Sequence, residues 1–471
     1  MITTYLDHFI DAWRNLIMRG DSPLTAAIKD NYVAAVKGLI ELGADVNAAD
    51  SNKNTPLTIA AKSGHVGIIR LLVENGADVN SPSDVDSPLT EAIRERYIEA
   101  VKALIELGAD VNAVTANKST PVTIAAKSGH VGIIRLLAQH GADVNTPNNV
   151  DSPLTEAIRM RYVGVVKTLI ELGADVNAVE RNFNTPLMTA EGQVGIIRLL
   201  AQHGANVNTR NVSGQTPINL AAQIGGVKAI QALAEYGGDV NIPNQFDQTP
   251  MYVAARRGDV EVIRALAEHG GEVNTLAHVR IGTATTPVLV AARWGNVNAI
   301  RVLVEFGGDV NIADKDYGAC PVYIAAENGH VGVIRVLAQC GAGMNTPDKE
   351  GNTPVYAAAE RGRAEAIRAL AEHGGNVNAP NIRWKTPMLA AAEEGHVDVL
   401  KILLEFRADL GLDLGEDRAN PSTLTTALLK GQMSAASYLI NIGADVQHCL
   451  KGWEGDPNVA HVQEMATEWW V

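Results

Sequence analysis

The sequence predicts an all-α solenoid, a stack of helix-turn-helix units with β-hairpin-like fingers along one edge. Three observations carry that expectation. The stretch TPLTIAAKSGHVGIIRLLVENGADVN, residues 55–80, recurs with variation, its proline returning at Pro23, Pro56, Pro88, Pro121, Pro153, Pro186, Pro217, Pro250, Pro287, Pro321, Pro354 and Pro387. Thr423 takes that place in a divergent last copy, which makes thirteen units, most of them 32 or 33 residues apart. Such a unit cannot bury its apolar face alone and must stack on its neighbours. Third, only 4% of residues are aromatic while glycines number 43, which suits thin layers of Ala, Val, Ile and Leu better than one thick core.

Within a unit the elements follow from residue chemistry. Proline fits the first turn of a helix, where its missing N–H is an orphan in any case, and Thr55 before it can cap. Leu57, Ile59, Ala60 and Ala61 give this first helix an apolar side, and Ser63-Gly64 ends it after about two turns. A second helix from Val66 carries Ile68, Ile69, Leu71 and Leu72 as a buried stripe, and Gly76 ends it in the left-handed position. The polar stretch from Ala77-Asp78-Val79-Asn80 to the next Thr-Pro reads as an extended finger, with Asn80 as a turn residue.

Together these motifs resemble the ankyrin repeat family, whose pattern runs from a finger to Thr-Pro-Leu-His, Ala-Ala, Gly-His, a Leu-Leu helix and Gly-Ala-Asp-Val-Asn. The resemblance covers about residues 22–447 at the family period. One departure is systematic. The family's histidine after Thr-Pro-Leu is replaced throughout, by Thr25, Thr58, Thr90, Thr123, Thr155, Met188, Asn219, Tyr252, Leu289, Tyr323, Tyr356, Leu389 and Thr425. The usual donor of an inter-repeat hydrogen bond is therefore missing. The resemblance also implies that finger asparagines can be hydroxylated in animal cells.

Along the chain, residues 1–21 place Leu6, Phe9, Ile10, Trp13, Leu16 and Ile17 on one helical face and are expected to cap the array of residues 22–447. Repeats 1 to 6 come in pairs, Pro23, Pro88 and Pro153 being 65 residues apart. Repeat 6 is two residues short between Thr185 and Val194, so its first helix should be truncated, with a bend or soft point near Glu191-Gly192. The finger before Pro287 has about four extra residues and should be the longest, and an expanded stretch at 411–420 follows Arg407, which replaces the family glycine. Residues 448–471, with Val459, Val462, Met465 and Trp469, read as a helical cap or docking tail.

Composition narrows the function classes. With 39 basic and 53 acidic residues the net charge is -14, which argues against non-specific binding to nucleic acid or to an anionic membrane. Cys320, Cys340 and Cys449 are too scattered for a disulfide framework or a zinc cluster and read as small buried hydrophobes. No signal peptide and no apolar run of membrane-spanning length is read, so a soluble, cytoplasmic protein is expected. Phosphate-binding loops, Gly-x-Ser-x-Gly elbows and His-Glu-x-x-His motifs are absent from the sequence, and no enzyme activity, cofactor or metal is expected. His65, His130, His330 and His396 at the Gly-His turn, and His140, His203, His269 and His373 near the end of the second helix, have structural roles.

In the family, partners are commonly bound by the end of the first helix and by the finger tips. At the helix end this chain offers Lys29, Lys62, Arg94, Lys127 and Arg159 in repeats 1 to 5, then Arg256 with Arg257, and Arg293 with Trp294, in repeats 8 and 9. In repeats 10 to 12 the sign reverses to Glu327, Glu360, Glu393 and Glu394, with Arg361 as the one opposing charge. Phe183, Phe246, Tyr317 and Trp384 fall at the finger tips of repeats 6, 8, 10 and 12, where exposed aromatics suit contact with a partner. The expected function is a protein-interaction scaffold or adaptor. Its groove from repeat 7 to repeat 12 would take an acidic segment on the arginine side and a basic one on the glutamate side. A secreted host-directed effector and a regulatory subunit of an enzyme or channel, docked through Trp453, Trp469 and Trp470, are the alternatives.

Overall fold

A computed structural model describes residues 22–50, 53–81, 86–148, 151–279, 283–410 and 422–444. The two expected end caps, the stretch 411–420 and Cys449 lie outside these residues. The chain divides into two compact units, Met1–Val212 and Ser213–Val471. The helices of repeats 1 to 6 belong to the first and those of repeats 7 to 13 to the second. Each unit is a stack in which the first helix packs on the first helices of its neighbours and the second on the second.

The Ser/Thr-Pro start behaves as its chemistry predicts. The Thr55 hydroxyl accepts the Thr58 N–H at 3.2 Å at the head of Pro56–Lys62. Ser22, Ser87, Thr120, Ser152, Thr216, Thr249, Thr286, Thr353, Thr386 and Ser422 cap in the same way. In repeat 10 the buried Cys320 is the cap, its Sγ accepting the Tyr323 N–H at 3.4 Å. Gly64, at φ 72°, reverses the chain into Val66–Glu74. Ile68, Ile69 and Leu72 of this second helix are buried, but Leu71 is half-buried. At about 100° per residue Leu71 lies roughly 105° from the centre of the stripe formed by the other three, at its edge.

The fingers hold neighbouring repeats together. Asn47 donates from Nδ2 to the Gly76 carbonyl at 3.1 Å and accepts the Asp78 N–H on Oδ1 at 3.0 Å. Asn80, Asn112, Asn145, Asn177, Asn241, Asn274 and Asn345 make the same pair of bonds to the next repeat. The asparagine is thus a clamp between repeats and not only a turn former. Substitutes also act at the position of the family histidine. Thr155 donates to Glu180 Oε1 at 2.9 Å, Asn219 donates to the Ile242 carbonyl at 3.0 Å, and Tyr323 bonds Asp348, each reaching the finger that follows.

Local irregularities sit where the sequence departs from its own pattern. The longest finger pairs β1 (Ala277–Val279) with β2 (Thr283–Thr285) in an antiparallel ribbon, Ala277 opposite Thr285. Arg407 keeps the left-handed conformation of the glycine it replaces, at φ 61°, a strained state for a residue with a Cβ. The first helix of repeat 6 is cut to Pro186–Thr189, four residues, and Thr185 makes no capping bond although its hydroxyl is buried. A missing cap costs about 1 kcal/mol. Amides of Met188 to Ala190 should therefore exchange with deuterium about fivefold or more faster than those of Thr123 to Ala125 in repeat 4, measured by hydrogen-exchange mass spectrometry. Equal protection would show that the short helix is held as firmly as the long ones.

Candidate partner-binding groove

Each first helix ends beside its own finger, so the residue two before the helix-starting proline faces the residue six after it. In repeat 3 these are Asp86 and Arg94, 2.6 Å apart, and in repeat 5 Asp151 and Arg159, bonded at 2.6 and 3.0 Å through two nitrogens. Both carboxylates are buried, at 4% and 2% exposure, whereas both arginine side chains are half exposed. Burial pushes the Asp151 carboxyl above its usual range, against the opposing pull of Arg159. Repeat 12 uses the same two places with the signs exchanged, Lys385 meeting Glu393 at 2.6 Å. Lys62 is likewise 3.6 Å from Glu91 of the next repeat. The basic ladder of repeats 1 to 5 is therefore largely internal pairing, and not the free basic surface that the helix ends alone suggested.

Repeats 8 and 9 break this pairing. Opposite Arg256 stands Gln248, and opposite Arg293 stands Thr285. Among the described residues neither arginine makes an ion pair; Arg256 instead lies over the indole of Trp294, 5.5 Å from the ring centroid. Such a contact orients the guanidinium without neutralising it. Trp294 is 56% exposed.

These side chains open onto a cavity of about 900 Å³ within the second unit. Arg256, Arg293 and Trp294 line it from the helix ends of repeats 8 and 9, Glu327 and Arg361 from those of repeats 10 and 11, and Tyr317 from the finger of repeat 10. Ala319 and Ile324 form an apolar floor, with Tyr323 packed against them. The buried Tyr252 lies below Arg256 and Arg293; burial pushes its phenol up, and the two guanidinium groups pull it the other way. Burial also raises the Tyr323 phenol, reinforced by Asp348 and Glu327. Both tyrosines stay neutral hydroxyls at physiological pH.

The acidic wall is already occupied in part. Arg361 reaches Glu327 at 3.2 Å, and Asp314 spends both carboxylate oxygens on the N–H groups of Asp316, Tyr317 and Ala319 in its own finger. Glu393 accepts from Lys385 and from Lys430, at 2.6 and 2.8 Å. Burial raises its carboxyl, yet those two lysines outweigh burial and hold it below the ordinary range. Glu360 is different: burial pushes it up, Arg361 opposes, and Glu394, Glu327 and Glu393 add to the rise.

Of the residues expected at the surface from sequence, the cavity gathers Arg256, Arg293, Trp294, Tyr317, Glu327 and Arg361. Arg257, Glu360, Glu393 and Glu394 do not line it. Trp384 and Phe183 are exposed finger tips, at 70% and 62%, the latter in the first unit. Phe246 is half-buried, not an exposed tip. Tyr252 and Tyr323 were missed as lining groups because their position is occupied by a structural residue in the family pattern. The two-before, six-after pairing was readable, since an opposite charge stands eight residues ahead of Arg94, Arg159 and Glu393.

Six histidines bond to backbone carbonyls, whereas the buried Nε2 atoms of His65 and His130 have no hydrogen-bond partner among the described residues. His140, His203, His269 and His373 donate from Nδ1 to the carbonyl four residues earlier at 2.8 to 2.9 Å. His330 and His396 reach the Arg293 and Glu360 carbonyls at 3.0 and 3.1 Å. No helix among the described residues is long and apolar enough to cross a membrane.

The family description "Ankyrin repeats (3 copies)" matches the sequence in overlapping blocks that together run over residues 4–180 and 187–415. The chain belongs to the ankyrin repeat family, whose repeats are generally protein-interaction modules. A solved structure of the human ASB11 ankyrin repeat domain is 33% identical, with the match covering 46% of this chain and 99% of that one at a TM-score of 0.41. No curated protein matches the chain.

Proposed function

We propose that this chain is a non-enzymatic scaffold or adaptor that binds a protein partner in the groove of repeats 8 to 11. The observation that carries the reading is the convergence of Arg256, Arg293, Trp294, Tyr317, Glu327 and Arg361 on one cavity of about 900 Å³. Trp, Tyr and Arg are the side chains that most often anchor interfaces, because they present large contact area and several donors. An apolar floor ringed by charges is what a bound segment needs: area to bury at the centre, and polar groups that fix its register.

The test is capture of partners from the native cell by the full chain, beside a variant with Arg256, Arg293 and Trp294 replaced by Ala and a control with Arg257→Ala. A partner held by the wild type and the control should bind the triple variant at least about tenfold more weakly, while the melting curve stays nearly unchanged. All three side chains are exposed, so their loss opens no core cavity. A partner bound equally by all three proteins would remove the groove assignment.

A further inference from the structure

We infer that the partner presents an acidic segment, two carboxylates of which stand on Arg256 and Arg293 where repeats 3 and 5 place their own Asp86 and Asp151. The inference rests on the groove reading and adds the chemistry of the occupant. Its template is internal to the chain. At one and the same place in the repeat, an arginine is closed by a finger carboxylate in repeats 3 and 5, and a lysine closes a glutamate in repeat 12. Repeats 8 and 9 keep the arginine and carry Gln248 and Thr285 where the acid would be, which leaves two forked donors without a carboxylate among the described residues. A guanidinium presents paired N–H groups that match a carboxylate bidentately, as Arg159 does with Asp151.

Geometry sets the spacing of the two acids. The first helices of repeats 8 and 9 pack side by side, and packed helices lie about 8–10 Å apart. Both guanidinium groups line the cavity together with Tyr252. A polyproline-type segment advances about 3.1 Å per residue with three residues per turn, so acids three apart share a face at about 9 Å. The net charge of -14 does not forbid an acidic guest. At about 0.1 M salt, charges more than roughly 10 Å away are screened, and the two nearby arginines dominate.

The probe is a fluorescein-labelled, proline-rich peptide with two glutamates three residues apart, compared with the same peptide carrying glutamines, by anisotropy on the full chain at about 0.1 M salt. The glutamate peptide should bind at least about tenfold more tightly. In the variant Gln248→Asp with Thr285→Asp, which supplies the finger carboxylates of repeats 3 and 5 without removing an arginine, that preference should disappear. Buried aspartates are native at these places in two other repeats, and an unchanged melting curve confirms folding. Equal binding of the two peptides, a preference that survives in the double variant, or tight binding only of a phosphoserine version would overturn the inference. Trp294→Ala separates the two readings. A native partner lost with Trp294→Ala but kept by the double variant leaves the groove standing and refutes its acidic occupant; a partner kept by both refutes the groove.

Discussion

Replacing Leu137 by Ala should lower the stability of the first unit by about 2–5 kcal/mol, the range for a buried leucine whose loss leaves a void that its neighbours fill only partly. Leu137 is fully buried in Val131–Gln139, the second helix of repeat 4, with repeats stacked on either side. In a repeat array each layer touches only its neighbours, so a lesion in an inner layer weakens two interfaces at once. The conspicuous surface chemistry of the same helix should matter far less. Arg135 meets Glu171 of the next repeat at 2.7 Å, yet that side chain pair is 47% and 40% exposed, and such pairs contribute about 0–1 kcal/mol. Urea unfolding followed by circular dichroism should show a large fall in midpoint for Leu137→Ala and a small one for Glu171→Ala. The reverse order would mean that ion pairs, and not thin apolar layers, hold the stack.

The contrast explains what could be read in advance. Helix starts and stops depend on residues adjacent in sequence: Thr55 caps the N–H three residues on, and Gly76 supplies a positive φ at its own position. Both signals are local, and each recurs in twelve of the thirteen units, Cys320 standing in for the cap in repeat 10 and Arg407 for the glycine in repeat 12, so fold and period were legible. The groove was legible by half. Arg256, Arg293 and Trp294 stood out because their helix positions are known to face partners in the family, but their freedom from ion pairing depends on Gln248 and Thr285, eight residues earlier. A helix-end charge looks the same in sequence whether a finger closes it, as at Arg94, or leaves it open, as at Arg293. Phe246 misled for a related reason: a tip residue is exposed only if its ring does not fold back, and only packing decides that.

Asn145 is the position where a turn former and a clamp predict different results. Its Nδ2 donates to the Gly173 carbonyl at 3.2 Å, and its Oδ1 accepts the Asp175 N–H at 2.8 Å, both in the following repeat. Each bond is worth about 0.5–1.5 kcal/mol net, so Asn145→Ala should cost roughly 1–3 kcal/mol. Exposure pulls the figure toward the lower end, since water can replace a lost partner. The sharper comparison is with Asn145→Gly and Asn145→Asp. Glycine and aspartate both form turns readily, and the backbone at Asn145 does not have the positive φ that would favour Asn or Gly there, so a residue needed only for its turn would accept either. A clamp accepts neither: glycine removes both bonds, and aspartate keeps the acceptor but sets a carboxylate against the Gly173 carbonyl in place of the donor. Urea midpoints should fall for all three variants. Wild-type stability in the glycine and aspartate variants would return Asn145 to the role of a turn residue, and the cohesion of the fingers would then rest on their backbones.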